Sequence, residues 1–160
     1  MLFREGGAIW AQHRAPARVH TEIAVPAEDG RQLSHRATLA LRCLFAGQSD
    51  DGLLDTGAEW TVLNREMGEV LRAEGCLGDP IGTVEIASRL GSFAGDLYEL
   101  DVTLLAEEGA DIEVAAKVVI SDDWWGPTVL GYRGLLELVR LGVEPAHGVA
   151  ETTWVYFGKD

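Results

Sequence analysis

The chain is poor in cysteine and in basic residues, and it has no long apolar run. Its two cysteines, Cys43 and Cys76, are too few for a disulfide framework or a cysteine-based metal cluster, so we interpret them as buried thiols in a reducing compartment. No stretch approaches the roughly 20 apolar residues of a membrane-spanning helix, and the N-terminal sequence has no signal-peptide core. We therefore expect a soluble, cytoplasmic protein.

The charge is strongly acidic, with a formal net charge of −13. A phosphate backbone attracts basic surfaces, so nucleic acid is disfavoured as a partner, and so is an anionic membrane surface. The simplest interpretation of the excess acid is that it keeps the protein in solution.

The common nucleotide-binding and metal-binding motifs are missing as well. Neither G-x-x-x-x-G-K-[ST] nor G-x-G-x-x-G occurs in the sequence. The four histidines, at positions 13, 20, 35 and 147, are scattered singly and are read as surface or structural residues. The sequence therefore predicts no metal site and no cofactor.

Length and composition fit one folded domain over residues 1–160, with residues 1–18 as an N-terminal arm or an edge strand. Hydrophobic residues make up 47% of the chain, enough for a real core. Alternating or β-branched patterns predict strands at 18–26, 35–45, 111–121 and 151–158, and a β-hairpin over 82–106. Helical spacing predicts short helices at 64–78, capped by Asn64 and ending near Gly75, and at 132–142.

The segment SDDWWG, residues 121–126, places two acids beside two tryptophans. This composition occurs in sugar-binding sites, but it is more typical of a turn that ends a strand and packs its aromatic rings. We favour the turn.

An aspartate stands between two apolar segments in DGLLDTGAEWTVL, residues 51–63. Either Asp55 is a turn residue at the surface, or its costly position is functional, because ionising a carboxylate at the end of a buried strand is unfavourable. Thr56 can satisfy local backbone groups, and Gly57 allows a tight turn and a close approach of another backbone. We expect Asp55 to be held rigidly and to be partly desolvated.

Two such carboxyls in contact can share one proton. The ionised one takes a proton from water while the protonated one donates to a carbonyl oxygen, which hydrolyses an amide without a metal or a covalent intermediate. Only one Asp-Thr-Gly occurs and no Asp-Ser-Gly, so the second carboxyl has to come from a second copy of the chain. A two-fold axis between two Asp55 side chains meets this need, and the sequence therefore predicts a homodimer.

The segment LLDTGAEWTVL resembles the active-site strand of the retropepsin-like aspartic proteases, which are single-domain and homodimeric. A second segment, TVLGYRGLLELVRLG at 128–142, is similar to the family's hydrophobic-hydrophobic-Gly element and the helix that follows it. The hairpin at 82–106 matches the position of the flap over the substrate, and TWVYFG matches the strand that forms interface sheet in many dimeric members. The resemblance implies a mainly β, small closed acid-protease barrel with a flap hairpin and one or two short helices.

The resemblance also assigns roles by position. Asp55 matches the catalytic aspartate, Thr56 the threonine that hydrogen-bonds across the dimer axis, Gly57 the turn glycine, and Ala58 a residue that lines the site. The remaining matches are structural Leu130 and Gly131 in the second motif, and the flap candidates Ser88, Arg89, Leu90 and Gly91. The flap tip is poorer in glycine than in viral members, and the pocket shape is altered by Glu59 and Trp60.

The activity implied is that of an aspartic endopeptidase, which hydrolyses peptide bonds in a peptide or protein substrate. One alternative is a non-catalytic dimer of the same fold that serves as a peptide-binding or scaffolding module. Another is an unrelated β-barrel in which Asp55 is a turn residue. Nothing in the sequence identifies the substrate.

Overall fold

A computed structural model describes residues 4–5, 8–9, 13–16, 18–21, 37–88, 91–144 and 152–159. Within these ranges the chain forms thirteen β-strands, one α-helix and one 3₁₀ helix. The strands are β1 (Arg4–Glu5), β2 (Ala8–Ile9), β3 (His13–Pro16), β4 (Arg18–Thr21), β5 (Ala37–Phe45), β6 (Gln48–Leu54), β7 (Thr61–Val62), β8 (Gly82–Ser88), β9 (Gly91–Leu104), β10 (Ile112–Ile120), β11 (Val129–Leu130), β12 (Arg140–Glu144) and β13 (Trp154–Gly158). The helices are α1 (Arg65–Ala73) and the 3₁₀ helix Leu136–Leu138.

Eight of the strands form one mixed sheet that closes on itself. Their order is β4-β5-β6-β11-β7-β10-β9-β8, and β5 also pairs with β9, where Cys43 lies opposite Leu104 and Phe45 opposite Val102. The pairing of β5 with β9 closes the sheet, so the six strands β5-β6-β11-β7-β10-β9 enclose a small barrel. The predicted mainly β class with a closed barrel is confirmed.

The barrel interior is filled by alternate residues of its strands. Along β10, Ile112, Val114, Ala116 and Val118 are buried, whereas the residues between them are exposed. The period of two that predicted this strand thus follows from one face turned to the core and one to solvent. The same core includes residues of β5, β9 and β11, among them Leu41, Phe45, Val102 and Leu130.

Helix α1 confirms the prediction for 64–78. The side chain of Asn64 accepts a hydrogen bond from the backbone N–H of Met67 at 2.8 Å, which satisfies one of the free donors of the first turn. Met67 and Leu71 are buried against the barrel. Gly75 follows the helix with φ +67°, a left-handed conformation that glycine adopts without strain.

The prediction of a helix over 132–142 is wrong. Only Leu136–Leu138 form a short 3₁₀ turn, and Arg140–Glu144 continue as β12, paired with β13. Cross-strand pairing provides the reason, because Leu141 lies opposite Phe157 and the β-branched Val143 opposite Val155. A helix over the same residues would not form these cross-strand pairs with β13.

The other predicted elements are formed where the structure describes them. The strand over 151–158 is β13, which pairs with β12 on one side and β3 on the other, so His13–Pro16 is an edge strand. The hairpin over 82–106 consists of β8 and β9, in register from Gly82 to Ser88. Of the strand predicted at 18–26, β4 is formed and residues 22–26 lie outside the described residues. None of the helices in the described ranges has the length and apolar character needed to cross a membrane.

Candidate active site

Asp55 directly follows β6 and begins a tight turn, residues 55–58, which we call the Asp55 loop. Its carboxylate oxygen Oδ1 accepts a hydrogen bond from the backbone N–H of Gly57 at 2.9 Å. The N–H of Ala58 donates to the carbonyl oxygen of Asp55 at 3.1 Å and closes the turn. A Cβ on Gly57 would lie 3.2 Å from the same Oδ1, so glycine leaves room for the carboxylate. The turn therefore fixes the direction of the Asp55 side chain.

The carboxylate is open to solvent in the single chain. Asp55, Thr56 and Gly57 are exposed, and Ala58 is half-buried. The expected partial desolvation of Asp55 is thus not met by the described residues of one chain, because the turn extends past the end of β6 and the Asp55 side chain stays exposed there.

The segment 128–133 holds the Asp55 loop from both sides. The carbonyl oxygen of Leu130 accepts from the N–H of Asp55 at 3.1 Å. Beyond Gly131, the N–H of Tyr132 donates to the Ala58 carbonyl at 2.9 Å, and that of Arg133 to the Glu59 carbonyl at 2.7 Å. The two segments resembling the family's two motifs are therefore joined by backbone hydrogen bonds, and the loop cannot move without breaking them.

Gly131 lies at the centre of this contact. It is buried, and its N–H donates to the hydroxyl of Thr61 at 3.0 Å. An ideal Cβ on Gly131 would lie 2.2 Å from both the carbonyl carbon and oxygen of Trp60, closer than any side chain tolerates. The sequence did not single out Thr61, which is 0% exposed. The one feature that could have indicated its role is a hydroxyl residue among apolar neighbours in β7.

Three side chains surround the outer edge of this contact. Arg133 forms an ion pair with Glu59 at 3.0 Å, and its guanidinium carbon lies over the Trp60 ring, 5.3 Å from the ring centroid. Both charged side chains are exposed, and an ion pair at the surface contributes about 0–1 kcal/mol. The pair therefore adds little to the stability of the fold.

The hairpin of β8 and β9 reaches a second aromatic surface. Phe93 of β9 stacks on Trp124, with ring centroids 5.3 Å apart. The hydroxyl of Ser88 donates to the carbonyl of Gly91 at 2.9 Å across the hairpin end, and Gly91 has φ +118°. The other two flap candidates, Arg89 and Leu90, lie outside the described residues.

An open groove of about 220 Å³, the aromatic groove, lies between the hairpin and the 121–126 segment. Its walls are formed by Ser88, Gly91, Ser92, Phe93, Asp123, Trp124 and Trp125. Trp125 is 77% exposed, whereas the indole N–H of Trp124 is satisfied by the Pro127 carbonyl at 2.9 Å. The groove therefore has one aromatic wall held in place, Trp124, and one that is exposed to solvent, Trp125.

Two arginines of α1 anchor the 121–126 segment. Arg72 donates to Asp122 at 2.8 Å, and this contact lowers the pKa of the Asp122 carboxyl. Arg65 lies 4.5 Å from the centroid of the Trp125 ring. Together with the stacking of Trp124, these contacts make SDDWWG a turn, as the sequence favoured, in which the Trp124 ring is packed and the Trp125 ring is exposed.

Other chemistry is limited in the described residues. No group of three or more histidine, cysteine or acidic side chains within them is arranged to hold a metal ion. Burial raises the pKa of the Cys43 thiol to about 12, so this cysteine is a neutral core residue and a poor nucleophile. The Asp55 loop of one chain presents one oriented carboxylate.

Comparison with known proteins gives only structural neighbours. No family model matches the chain, and no curated protein matches it. The chain is similar to the crystal structure of a retropepsin-like aspartic protease from Rickettsia conorii, with 16% identity, coverage of 88% of this chain and 92% of that chain, and a TM-score of 0.45. It is also similar to the solution structure of the Simian Foamy Virus (mac) protease, with 22% identity, 62% and 93% coverage, and a TM-score of 0.39. At such identities neither likeness assigns an activity to this chain.

Proposed function

We propose that the chain is an aspartic endopeptidase whose active site is built from two copies of the Asp55 loop. One observation carries the proposal: the Asp55 carboxylate is both solvent-exposed and fixed by the Gly57 N–H at 2.9 Å. A surface turn needs no backbone support, yet the 128–133 segment holds this loop through Asp55, Ala58 and Glu59. A rigid, accessible carboxylate is suited to bind and activate a water molecule.

In the proposed dimer the two Asp55 carboxyls face each other across a two-fold axis. One acts as general base toward a shared water and the other as general acid toward the scissile carbonyl. Thr56, exposed beside Asp55, is available to hydrogen-bond across the same axis, and half-buried Ala58 leaves space for the substrate. Because the reaction needs one proton on the pair, cleavage is expected to fall at both ends of a pH range on the acidic side of neutral.

The substrate is proposed to be an extended peptide that lies between the Asp55 loops and the hairpins. The edge strand β8 offers backbone groups for strand addition, and its partner β9 places Phe93 at the aromatic groove. Closure of the hairpins over the peptide excludes water and strengthens the polar contacts inside.

Cleavage of a peptide library by the wild type and by Asp55→Asn tests this proposal. The variant keeps the shape of the side chain and an acceptor for the Gly57 N–H, but it cannot act as a base. We expect a folded dimer, seen as about twice the chain mass in sedimentation, with no turnover. Cleavage by Asp55→Asn at the wild-type rate would exclude the carboxylate from the chemistry.

A second candidate is a peptide-binding dimer without turnover. The exposure of Asp55 favours it, because an exposed carboxylate costs little to keep and so does not by itself imply catalysis. The aromatic groove can hold peptide side chains equally well in either case. The same library distinguishes the two: a binding module retains peptides on an immobilised chain and releases them uncut.

A further inference from the structure

A polar network connects three elements near the start of the strand that leads to Asp55. Asp50 lies on β6, Asn64 caps α1, and Thr128 precedes β11. One carboxylate oxygen of Asp50 accepts from the side-chain amide of Asn64 at 2.7 Å and from the hydroxyl of Thr128. The backbone N–H of Asn64 donates to the Thr128 hydroxyl oxygen at 3.0 Å. A single carboxylate therefore ties the 128–133 segment to both β6 and α1.

The hydrogen-bonding capacity of the Thr128 hydroxyl is used in full. A hydroxyl has one proton to donate and lone pairs to accept with. Here the proton goes to Asp50, and the oxygen accepts from the N–H and, at 3.2 Å, from the side-chain amide of Asn64. Thr128 is 1% exposed, so water cannot replace these partners. The position of Thr128 is consequently fixed by the hydrogen bonds of its hydroxyl, which a residue without a hydroxyl cannot make.

What Thr128 fixes is the strand that supports Asp55. Strand β11 has only two residues, Val129–Leu130, and so has few ladder hydrogen bonds with which to set its own register. The Thr128 carbonyl accepts from the N–H of Leu53 at 2.9 Å, and two residues later the Leu130 carbonyl accepts from the N–H of Asp55 at 3.1 Å. A shift at Thr128 is therefore transmitted along β11 to the backbone of Asp55.

We infer that Asp50 and Thr128 are positioning residues for the Asp55 loop. Their hydrogen bond sets the register of β11 against β6, and β11 in turn orients the Asp55 carboxylate. The effect on turnover rests on the proposed function, whereas the effect on the loop is a property of the folded chain and can be measured without any activity.

The first measurement is amide hydrogen exchange by NMR. Thr128→Val keeps the volume and branching of the side chain and removes the hydroxyl, whereas Thr128→Ser keeps the hydroxyl. We expect the amides of Asp55 and Leu53 to exchange about tenfold faster in Thr128→Val, with Thr128→Ser within about twofold of the wild type. Uniformly faster exchange, equally large in the β9–β10 ladder, would mean a general loss of stability and would overturn the inference.

A matched control removes a threonine hydroxyl elsewhere in the barrel. Thr103 is half-buried in β9, where it pairs with Leu44 of β5 rather than with the Asp55 loop. Thr103→Val is expected to leave exchange at Asp55 unchanged. Should Thr128→Val fail to fold, Asp50→Asn takes its place, because the amide keeps the size of the side chain and loses the charge that anchors Thr128.

Steady-state kinetics give the second measurement. Because Thr128→Val displaces the loop, we expect it to lower kcat by about ten- to a hundredfold while KM changes by less than about twofold. Thr128→Ser is expected to keep kcat close to that of the wild type. If exchange responds as expected but the wild type cleaves no peptide, the proposed function fails and the positioning role stands. If the wild type cleaves and Thr128→Val matches it in both exchange and kcat, the positioning role is overturned and the proposed function stands.

Discussion

Gly131 packs against the backbone of Trp60 so closely that a Cβ on Gly131 would lie 2.2 Å from the Trp60 carbonyl oxygen. This contact, together with the hydrogen bond from the Gly131 N–H to Thr61, lets the 128–133 segment run beside the chain that leaves the Asp55 loop. The hydrogen bonds that hold Asp55 and Ala58 lie immediately on either side of it. The geometry of the candidate site therefore depends on the absence of one side chain.

Gly131→Ala is expected to lower the free energy of unfolding by about 3 kcal/mol, because the methyl group meets backbone atoms that cannot rotate away. Chemical denaturation measures this change. Gly78→Ala is the control: a Cβ there meets nothing within 4 Å, so its stability should stay within about 0.5 kcal/mol of the wild type. Equal stability of the two variants would contradict the close approach at Trp60.

Trp124→Ala is expected to loosen the hairpin, because it removes the ring that stacks on Phe93 at 5.3 Å. Exchange measured by mass spectrometry should increase several-fold in the hairpin peptide that contains Ile86 and Phe93, whose residues are paired across β8 and β9. Trp125→Ala is the matched control, since Trp125 is 77% exposed and contacts Arg65 rather than the hairpin. The stacking has no anchoring role if both variants exchange alike.

Because the Cys43 thiol is buried, the free energy of unfolding is expected to decrease in alkaline solution. Its pKa is raised by burial from 9.0 to about 12, so the unfolded chain loses this proton first as the pH rises. The stabilisation is complete below pH 9 and decreases toward pH 12, by about 1.4 kcal/mol for each pH unit within that window. Unfolding of the wild type should therefore depend more steeply on pH than unfolding of Cys43→Ala. Parallel curves above pH 9 would show that Cys43 does not contribute.

Much of the fold was predictable because strong local signals agreed with tertiary contacts. The alternation along 111–121 reflects one buried face of β10, and Asn64 both caps α1 and joins the network of Asp50. The segment 132–142 misled the prediction because its leucines have helical spacing. Arg140–Glu144 instead pair with β13, and a partner strand outside the segment leaves no signal within it.

The sequence singles out residues of the candidate site but does not show how they are arranged. Asp55 and Gly131 were singled out from separate segments, and the sequence could not show that backbone hydrogen bonds join those segments. Thr61 and Thr128 escaped attention because a buried threonine has the same sequence signature whether its hydroxyl is merely packed or takes part in hydrogen bonds, as an acceptor at Thr61 and as a donor and acceptor at Thr128. The sequence likewise could not predict that Asp55 is exposed, since this depends on where the turn projects from the barrel.

The proposed active site needs Asp55 from two chains, and a subunit-mixing experiment tests this requirement. A fixed amount of wild-type protein is mixed with increasing Asp55→Asn chain under conditions that allow subunits to exchange, and peptide cleavage is measured. The rate should fall toward zero as mixed dimers replace wild-type dimers. A rate that does not change with added variant, although sedimentation and differential labelling show that mixed dimers have formed, would contradict a shared site.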